Sequence, residues 1–141
     1  MKLEQLMDIN IDYKQIYTTF PSGYFCSLPC GTVIDSNKKF LELTNYTREE
    51  VINKKKFTDF LSLGGKIYFE NVYSPALKLN GTVEEINFNF TKKDGTKFPV
   101  LVNSIEVKDK KGLHLFTQSA IFNISQRKKY EHELLIAQRK A

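Results

Sequence analysis

Two cysteines and two histidines are the residues of this chain that could ligate a metal through sulfur or an imidazole nitrogen. Cys26 and Cys30 have the spacing C-x3-C, with Pro29 between them, and neither is joined by further His or Cys residues at the spacing of a zinc site. His114 and His132 fall in different predicted elements, a strand and a terminal helix. We therefore expect two reduced structural thiols and no metal centre.

Catalysis requires a nucleophile, a base and an orienting group within mutual reach. Glu70, close to Tyr68 and Tyr73 on one predicted helix, is the best acid–base candidate, but charged helix residues are usually solvated. The chain also lacks G-x-G-x-x-G and G-x-x-x-x-G-K-[ST], the glycine-rich motifs that bind phosphates. We predict that this segment is not an enzyme. A small cup-shaped α+β enzyme with an interior Tyr or Asp is the alternative.

The pair Gly64-Gly65 stands in the run SLGGKIYFE, ahead of a helical pattern and not directly after a strand. Glycine adopts a positive φ readily, which lets two short helices meet at a sharp angle. We interpret the pair as a hinge that opens the wall of a pocket.

Five residues are predicted to line that pocket: Tyr68, Asn71, Val72, Phe88 and Ser104. Three of them are polar groups on segments that should face the interior, and a buried polar group costs about 1 to 3 kcal/mol when it is unpaired. They need one another, water or a ligand as partners. Small-molecule sites are usually apolar cavities with a few such groups, although a plain aromatic core without a ligand is the alternative interpretation.

Size and charge restrict the class of protein. A chain of 141 residues with 41% hydrophobic residues is long enough for one buried core. No apolar run approaches the roughly 18 to 20 residues of a membrane span, and the N-terminus lacks a signal-like core, so we expect a cytoplasmic segment without membrane contact. More than half of the net charge of +5 lies after Ile124, on the terminal helix, so we expect no binding to nucleic acid.

Apolar alternation with a period of two predicts the strands. Residues 24–28 and 32–35 form a hairpin, and a meander of three strands extends from Val83 to Ile124. On its middle strand both faces are apolar, with Phe98, Val100 and Val102 on one and Leu101, Ile105 and Val107 on the other. One face can be covered by short helices, and the other by an N-terminal helix or a second subunit.

Capping signals place short helices between the two groups of strands. Asn37 can cap the first, Thr47 to Glu50 is a capping box for the second, and Thr58 or Asp59 begins a third. Apolar residues then recur at helical spacing as far as Pro75, which must kink or restart the helix.

Amphipathic helices are also predicted at both ends of the chain. One covers residues 3–20, and the other is capped by Ser125. The apolar residues of the second step at heptad spacing: Tyr130, Leu134, Ala137 and Ala141. Two repeats do not distinguish a coiled coil from a helix that lies on its own domain, and we favour a homodimer through this helix.

This order of elements resembles a Per-Arnt-Sim (PAS) sensor domain of a bacterial signal-transduction protein. The resemblance covers residues 20–141 and depends on Phe20–Tyr24, Gly31–Asn37, Leu43–Val51, Lys93–Gly95 and Asn123–Lys128. It implies an α+β fold with a five-stranded antiparallel sheet and short helices on one face that enclose a pocket. We accordingly divide the chain into an N-terminal amphipathic helix (1–19), the PAS domain (20–124) and a C-terminal signalling helix (125–141).

The resemblance also implies a function. PAS domains of bacterial regulators pass a signal through the exit helix to a kinase, a phosphatase or a cyclic-nucleotide enzyme. We therefore predict a sensory module that binds a small ligand and acts on an effector outside this chain, with a dimerisation-only module as the alternative. The predicted transmission and dimer residues are Asn123, Arg127, Tyr130, Leu134 and Ala137.

Known PAS cofactors make specific demands on the sequence. Heme would need an axial His on the pocket helix, and a flavin photoadduct would need a Cys in an Asn-Cys-Arg-Phe-Leu-type run, so neither is expected here. Before the exit helix the family usually has Asp-Ile-Thr, where this chain has Asn123-Ile124-Ser125. Asn123 can offer Arg127 only a neutral hydrogen bond, roughly half as strong as a charge-assisted one.

Overall fold

A computed structural model describes residues 15–17 and 20–140 of the chain. Five strands form one antiparallel sheet in the order β2-β1-β5-β4-β3. The first hairpin lies beside the meander because β1 pairs with the last strand, with Gly23 opposite Ile121. The predicted sheet is confirmed, and its strands are β1 (Gly23–Ser27), β2 (Val33–Ser36), β3 (Thr82–Thr91), β4 (Lys97–Lys108) and β5 (His114–Asn123).

The helices between β2 and β3 are short, and a longer one follows β5. They are α1 (Lys38–Thr44), α2 (Arg48–Val51), a 3₁₀ turn (Phe57–Phe60), α3 (Leu63–Tyr68), a π turn (Phe69–Tyr73), α4 (Ser74–Asn80) and α5 (Ser125–Lys140). Residues 15–17 are also helical, and the rest of the predicted N-terminal helix lies outside the described residues.

Two predicted caps are confirmed. The Oδ1 atom of Asn37 accepts hydrogen bonds from the backbone N–H groups of Phe40 (3.0 Å) and Tyr24 (2.9 Å), so the buried amide joins α1 to the first strand. At α2, Thr47 Oγ1 accepts from the Glu50 N–H at 3.3 Å and Glu50 Oε1 accepts from the Thr47 N–H at 3.0 Å. The bonds from Phe40, Glu50 and Thr47 satisfy donors that a helix N-terminus would otherwise leave unpaired.

The core lies between one face of the sheet, the inner face, and the short helices. Its centre is Phe57, whose ring is 5.4 Å from that of Phe25, 5.0 Å from Phe69 and 5.7 Å from Phe90. Tilted and edge-on ring pairs at such distances stabilise a core beyond the area that they bury. The 3₁₀ turn is therefore held firmly against the sheet.

The outer face of the sheet is only partly covered by the described residues. Ile105 and Phe122 expose 51% and 41% of their surface. On the same face, the ring of Tyr17 packs edge-on against Tyr24 of β1 at 5.0 Å. The prediction that an N-terminal helix covers this face is thus supported at one contact, and the remaining apolar surface is open.

Candidate ligand-binding site

The wall of the site opposite the sheet is a continuous helical stretch from Leu63 to Asn80. It is capped by Ser62, whose Oγ accepts from the Gly65 N–H at 3.2 Å. Gly64 and Gly65 therefore lie in the first turn of α3, and neither has a positive φ. The hinge predicted at these glycines is wrong, because the chain is already extended at Leu61 and the helix starts immediately after Ser62.

The middle of this stretch is a π turn. The Ser74 N–H donates to the carbonyl of Phe69, five residues earlier, and Pro75 follows with no N–H to donate. The wider turn keeps side chains at four-residue spacing on one side of the helix. Phe69, Tyr73 and Leu77 consequently face the core, and Tyr73 is only 3% exposed.

This register differs from the one predicted for the same helix. Asn71 is exposed and Val72 is 41% exposed, so the expectation that both face the interior is wrong. Tyr68 is 38% exposed, although its ring still contacts that of Phe88 at 5.5 Å. The two registers are both apolar and aromatic, so side-chain periodicity did not distinguish them.

Ser104 is buried as expected, but with other partners. The Tyr73 hydroxyl donates to Ser104 Oγ at 2.7 Å, and Ser104 Oγ is 2.7 Å from Ser119 Oγ. Burial is the main cause that raises the pKa of Tyr73, so its hydroxyl keeps the proton that it donates. Tyr73, Ser104 and Ser119 thus bond to one another across the π turn, β4 and β5.

A second set of hydrogen-bonded side chains, the second polar chain, lies two residue pairs further along the same two strands. His114 Nδ1 is 3.0 Å from Glu106 Oε2, and His114 Nε2 is 2.8 Å from Thr117 Oγ1. Glu106 is directly opposite Thr117 in the ladder, and a bulge after Val107 sets His114 opposite Lys108. The side chain of Glu106 is only 6% exposed, so a carboxylate lies at the edge of the core.

A cavity of about 300 Å³ opens beside the bonded side chains of Glu106, His114 and Thr117. It lies between the β1–β2 turn, the 3₁₀ turn, α4 and the adjoining ends of β4 and β5. Apolar and aromatic side chains form most of its wall, with the second polar chain at one side. The residues that matter for its chemistry are Phe57, Phe69, Tyr73, Leu77, Glu106 and His114.

The predicted pocket residues lie apart from this cavity. Tyr68 and Phe88 border a smaller cavity of about 180 Å³, which Lys128 of α5 also lines. Ser104 reaches the larger cavity only through its bond to Tyr73. Glu106 was not predicted to line the site. It lies on the same face of β4 as Phe98, Val100, Val102 and Ser104, and that alternation was the available signal.

The two cysteines are free thiols in different environments. Cys26 lies on the outer face, where burial raises its pKa. Cys30 is exposed at the rim of the cavity, and a contact with the Thr32 hydroxyl at 3.3 Å lowers its pKa. Within the described residues no group of three His, Cys, Asp or Glu side chains could hold a metal ion.

The predicted transmission residues begin where β5 ends. Asn123 Oδ1 accepts from the Ser125 N–H at 2.9 Å and from the Ser125 hydroxyl at 2.6 Å. The expected bond from Asn123 to Arg127 is not formed, because a short Asn side chain bonds most easily two residues ahead. Arg127 instead pairs with Glu131 at 3.2 Å.

Beyond this cap the exit helix α5 projects its apolar residues into solvent. Tyr130 and Leu134 are 63% and 60% exposed, and Ala137 is exposed as well. Within the described part of the chain, no helix has the length and apolarity needed to cross a bilayer.

Comparison with known proteins agrees with this geometry. The sequence profile named PAS domain matches residues 21–126. The chain belongs to the PAS domain family. It is also similar to phosphoserine phosphatase RsbP of Bacillus subtilis (strain 168), with 30% identity over 121 residues, which are 86% of this PAS chain and 29% of that protein. The chain thus spans less than a third of that relative.

Solved PAS structures share the fold at low sequence identity. A PAS domain from Colwellia psychrerythraea superposes with a TM-score of 0.74 at 14% identity, over 80% of this chain and 94% of that one. The PAS domain of a LuxR-family transcriptional regulator from Burkholderia thailandensis, solved in complex with ethanol, gives 0.68 at 18% identity, over 82% and 99%. These likenesses show the fold of the PAS chain and not its ligand.

Proposed function

We propose that this PAS domain is a sensory module that binds a small molecule in the 300 Å³ cavity and transmits its occupancy through α5. One observation carries the proposal. Strand β5 contributes His114 and Thr117 to the cavity and then runs directly into Asn123, which caps α5. A single strand therefore joins the site to the exit helix.

The start of α5 is held by few bonds, so a small movement of β5 can re-aim it. The Ile124 N–H donates to the Pro99 carbonyl at 3.0 Å, and Asn123 caps the first turn. The following side chains are exposed. With 16 residues at 1.5 Å per residue, α5 is about 24 Å long, so a slight rotation at Ile124 becomes a large displacement at its far end.

The surfaces that remain open suggest what receives the signal. The exposed apolar stripe of α5 and the open part of the outer face fit a homodimer in which two exit helices meet. The effector would be an enzyme outside these 141 residues, a phosphatase, a kinase or a cyclic-nucleotide enzyme, in a bacterial cytoplasm. Similarity to RsbP over its PAS-like part supports the first of these.

Catalysis by the domain itself has little support. Glu70, the acid–base candidate, is exposed on the π turn, away from the buried polar chains. A module that only dimerises is the second candidate, and the exposed stripe of α5 favours it.

A variant with a filled cavity separates these candidates. Ser74→Trp places a large ring in the cavity, and Lys66→Trp places the same ring on the exposed face of α3 as a control. Native mass spectrometry of protein purified from cells should show a retained small molecule in the wild type and in Lys66→Trp but not in Ser74→Trp. Hydrogen exchange of residues 123–130 should differ between the occupied and empty forms.

A wild-type protein that carries no small molecule, with the same exchange in all three proteins, would favour the dimerisation-only module. Loss of the molecule without any change in the exchange of α5 would retain binding and reject transmission through the exit helix.

A further inference from the structure

The buried carboxylate of Glu106 has a place in the fold that sensing alone does not explain. Alternation along β4 directs its side chain to the inner face, in line with Val102 and Ser104. A carboxylate removed from water is unfavourable unless a positive charge or several donors compensate it. Its one ion-pair partner among the described residues is His114.

His114 can satisfy its contacts without neutralising that charge. The neutral tautomer with its hydrogen on Nδ1 donates to Glu106 and accepts from the Thr117 hydroxyl at Nε2. Both ring nitrogens then have partners, and the carboxylate of Glu106 can accept from further donors. Lys78 is the remaining charged side chain on the cavity wall, besides Glu106 and His114. It is exposed and forms no ion pair with any described residue.

The opposite wall of the cavity is aromatic. The rings of Phe69 and Tyr73 stack at 4.8 Å, and Phe57 lies 5.2 Å from Tyr73. Ring faces attract cations and also pack against apolar groups. A volume of about 300 Å³ is at the small end of ligand sites and suits a molecule of about ten non-hydrogen atoms.

From the buried carboxylate beside aromatic walls, we propose that the cavity recognises a small primary amine with an apolar or aromatic body. The ammonium group donates to Glu106, and the body packs against Phe57, Phe69 and Leu77. This inference rests on the proposed small-molecule site and adds the chemical class of its ligand. Loss of the ammonium group, with the size unchanged, should remove most of the affinity.

Three probes of nearly equal size test the class on the wild-type chain. 2-Phenylethylamine, 2-phenylethanol and phenylacetate are titrated separately, and backbone amide shifts are followed by NMR. The amine should shift the amides of Phe57, Tyr73, Glu106 and Thr117, and the alcohol should bind at least about tenfold more weakly, because it offers no charge to the carboxylate. Phenylacetate should not bind.

The role of Glu106 is tested by Glu106→Gln, which keeps the shape and removes the charge. Glu84→Gln, on the exposed side of β3, is the matched control. Glu106→Gln should weaken the amine by at least about tenfold and leave the alcohol unchanged, and Glu84→Gln should alter neither. The comparison of the three probes on the wild type stands even if Glu106→Gln fails to fold.

Equal binding of amine and alcohol, or tighter binding of phenylacetate, overturns the amine class and leaves a cavity for another kind of molecule. Failure of all three probes overturns it as well, and a retained molecule that is not an amine in native mass spectrometry would then still support the proposed site. Specific binding of the amine without a change in hydrogen exchange at α5 supports this inference and contradicts the proposed transmission instead.

Discussion

At the scale of single residues, the side chain of Glu50 shows how one carboxylate joins distant parts of the chain. Its Oε1 accepts from the Thr47 N–H at the start of α2, and its Oε2 pairs with Lys93 Nζ at 2.8 Å in the β3–β4 turn. The bond from Lys93, followed by that from Thr47, lowers the pKa of Glu50 to about 2. The cap is therefore also an electrostatic link between a helix and a hairpin.

This link predicts how stability depends on pH. The pKa of Glu50 in the folded chain, about 2, is below its ordinary value of about 4.3. Its contribution to stability is therefore fully present above the ordinary pKa and is lost as the pH falls toward 2. Urea unfolding between about pH 6 and 2.5 should show a shallower loss of stability for Glu50→Gln than for the wild type. Glu49→Gln, at the exposed neighbouring position, should follow the wild type, and a wild-type slope for Glu50→Gln would contradict the link.

At the scale of elements, the π turn decides which side of the pocket helix is buried. The π turn ends at Tyr73, and Pro75 lies two residues later. The missing N–H of proline therefore lies close to the change of hydrogen-bond pattern in the helix. Tyr73 then points to the sheet with its hydroxyl on Ser104, and Tyr68 remains at the surface. The register of the helix therefore sets both the core and the cavity wall.

Two tyrosine truncations test this register. Tyr73→Ala removes a buried ring and the hydroxyl that donates to Ser104, so we expect a loss of about 3 to 5 kcal/mol in the free energy of unfolding. Tyr68→Ala removes a ring that is 38% exposed and should cost clearly less. Guanidinium unfolding followed by circular dichroism measures both. The reverse order of the two losses would favour the register in which Tyr68 and Val72 face inward.

At the scale of the whole molecule, the open apolar surfaces concern assembly. Ile105 and Phe122 on the outer face and Leu134 on α5 are all at least 41% exposed, and such surfaces are often covered by a partner. The coiled-coil interpretation of α5 and the dimer through it stay predictions, since the described structure is a single chain.

A charged substitution on α5 tests this assembly. Leu134→Asp places a carboxylate in the middle of the heptad stripe and should convert a dimer of the isolated chain into a monomer, measured as mass by light scattering. His132→Asp introduces the same charge off the stripe and should leave the mass unchanged. A dimer that persists in Leu134→Asp would exclude α5 as the interface and point to the outer face.

Short-range patterns in the chain were sufficient for most of the fold. The caps at Asn37 and Thr47 and the alternation along the strands each depend on neighbours within a few residues, so the sequence alone predicts them. For the same reason the first hairpin and the extent of the meander were predicted close to their actual bounds. No separate helix restarts at Pro75, because the backbone is already helical at Tyr73 and Ser74. The hinge predicted at Gly64-Gly65 was wrong because Ser62, three residues before Gly65, caps the helix that contains both glycines.

The site itself required contacts between residues far apart in the chain. The π turn decides which side of the pocket helix is buried. The buried side and the predicted one have similar hydrophobicity, and only the packing of Tyr73 against Phe57 and Phe88 distinguishes them. The pairing of Glu106 with His114 depends on a bulge in the β4–β5 ladder. Local periodicity determines where the helices and strands form. Long-range packing determines which of their faces meet, and therefore which side chains line the cavity.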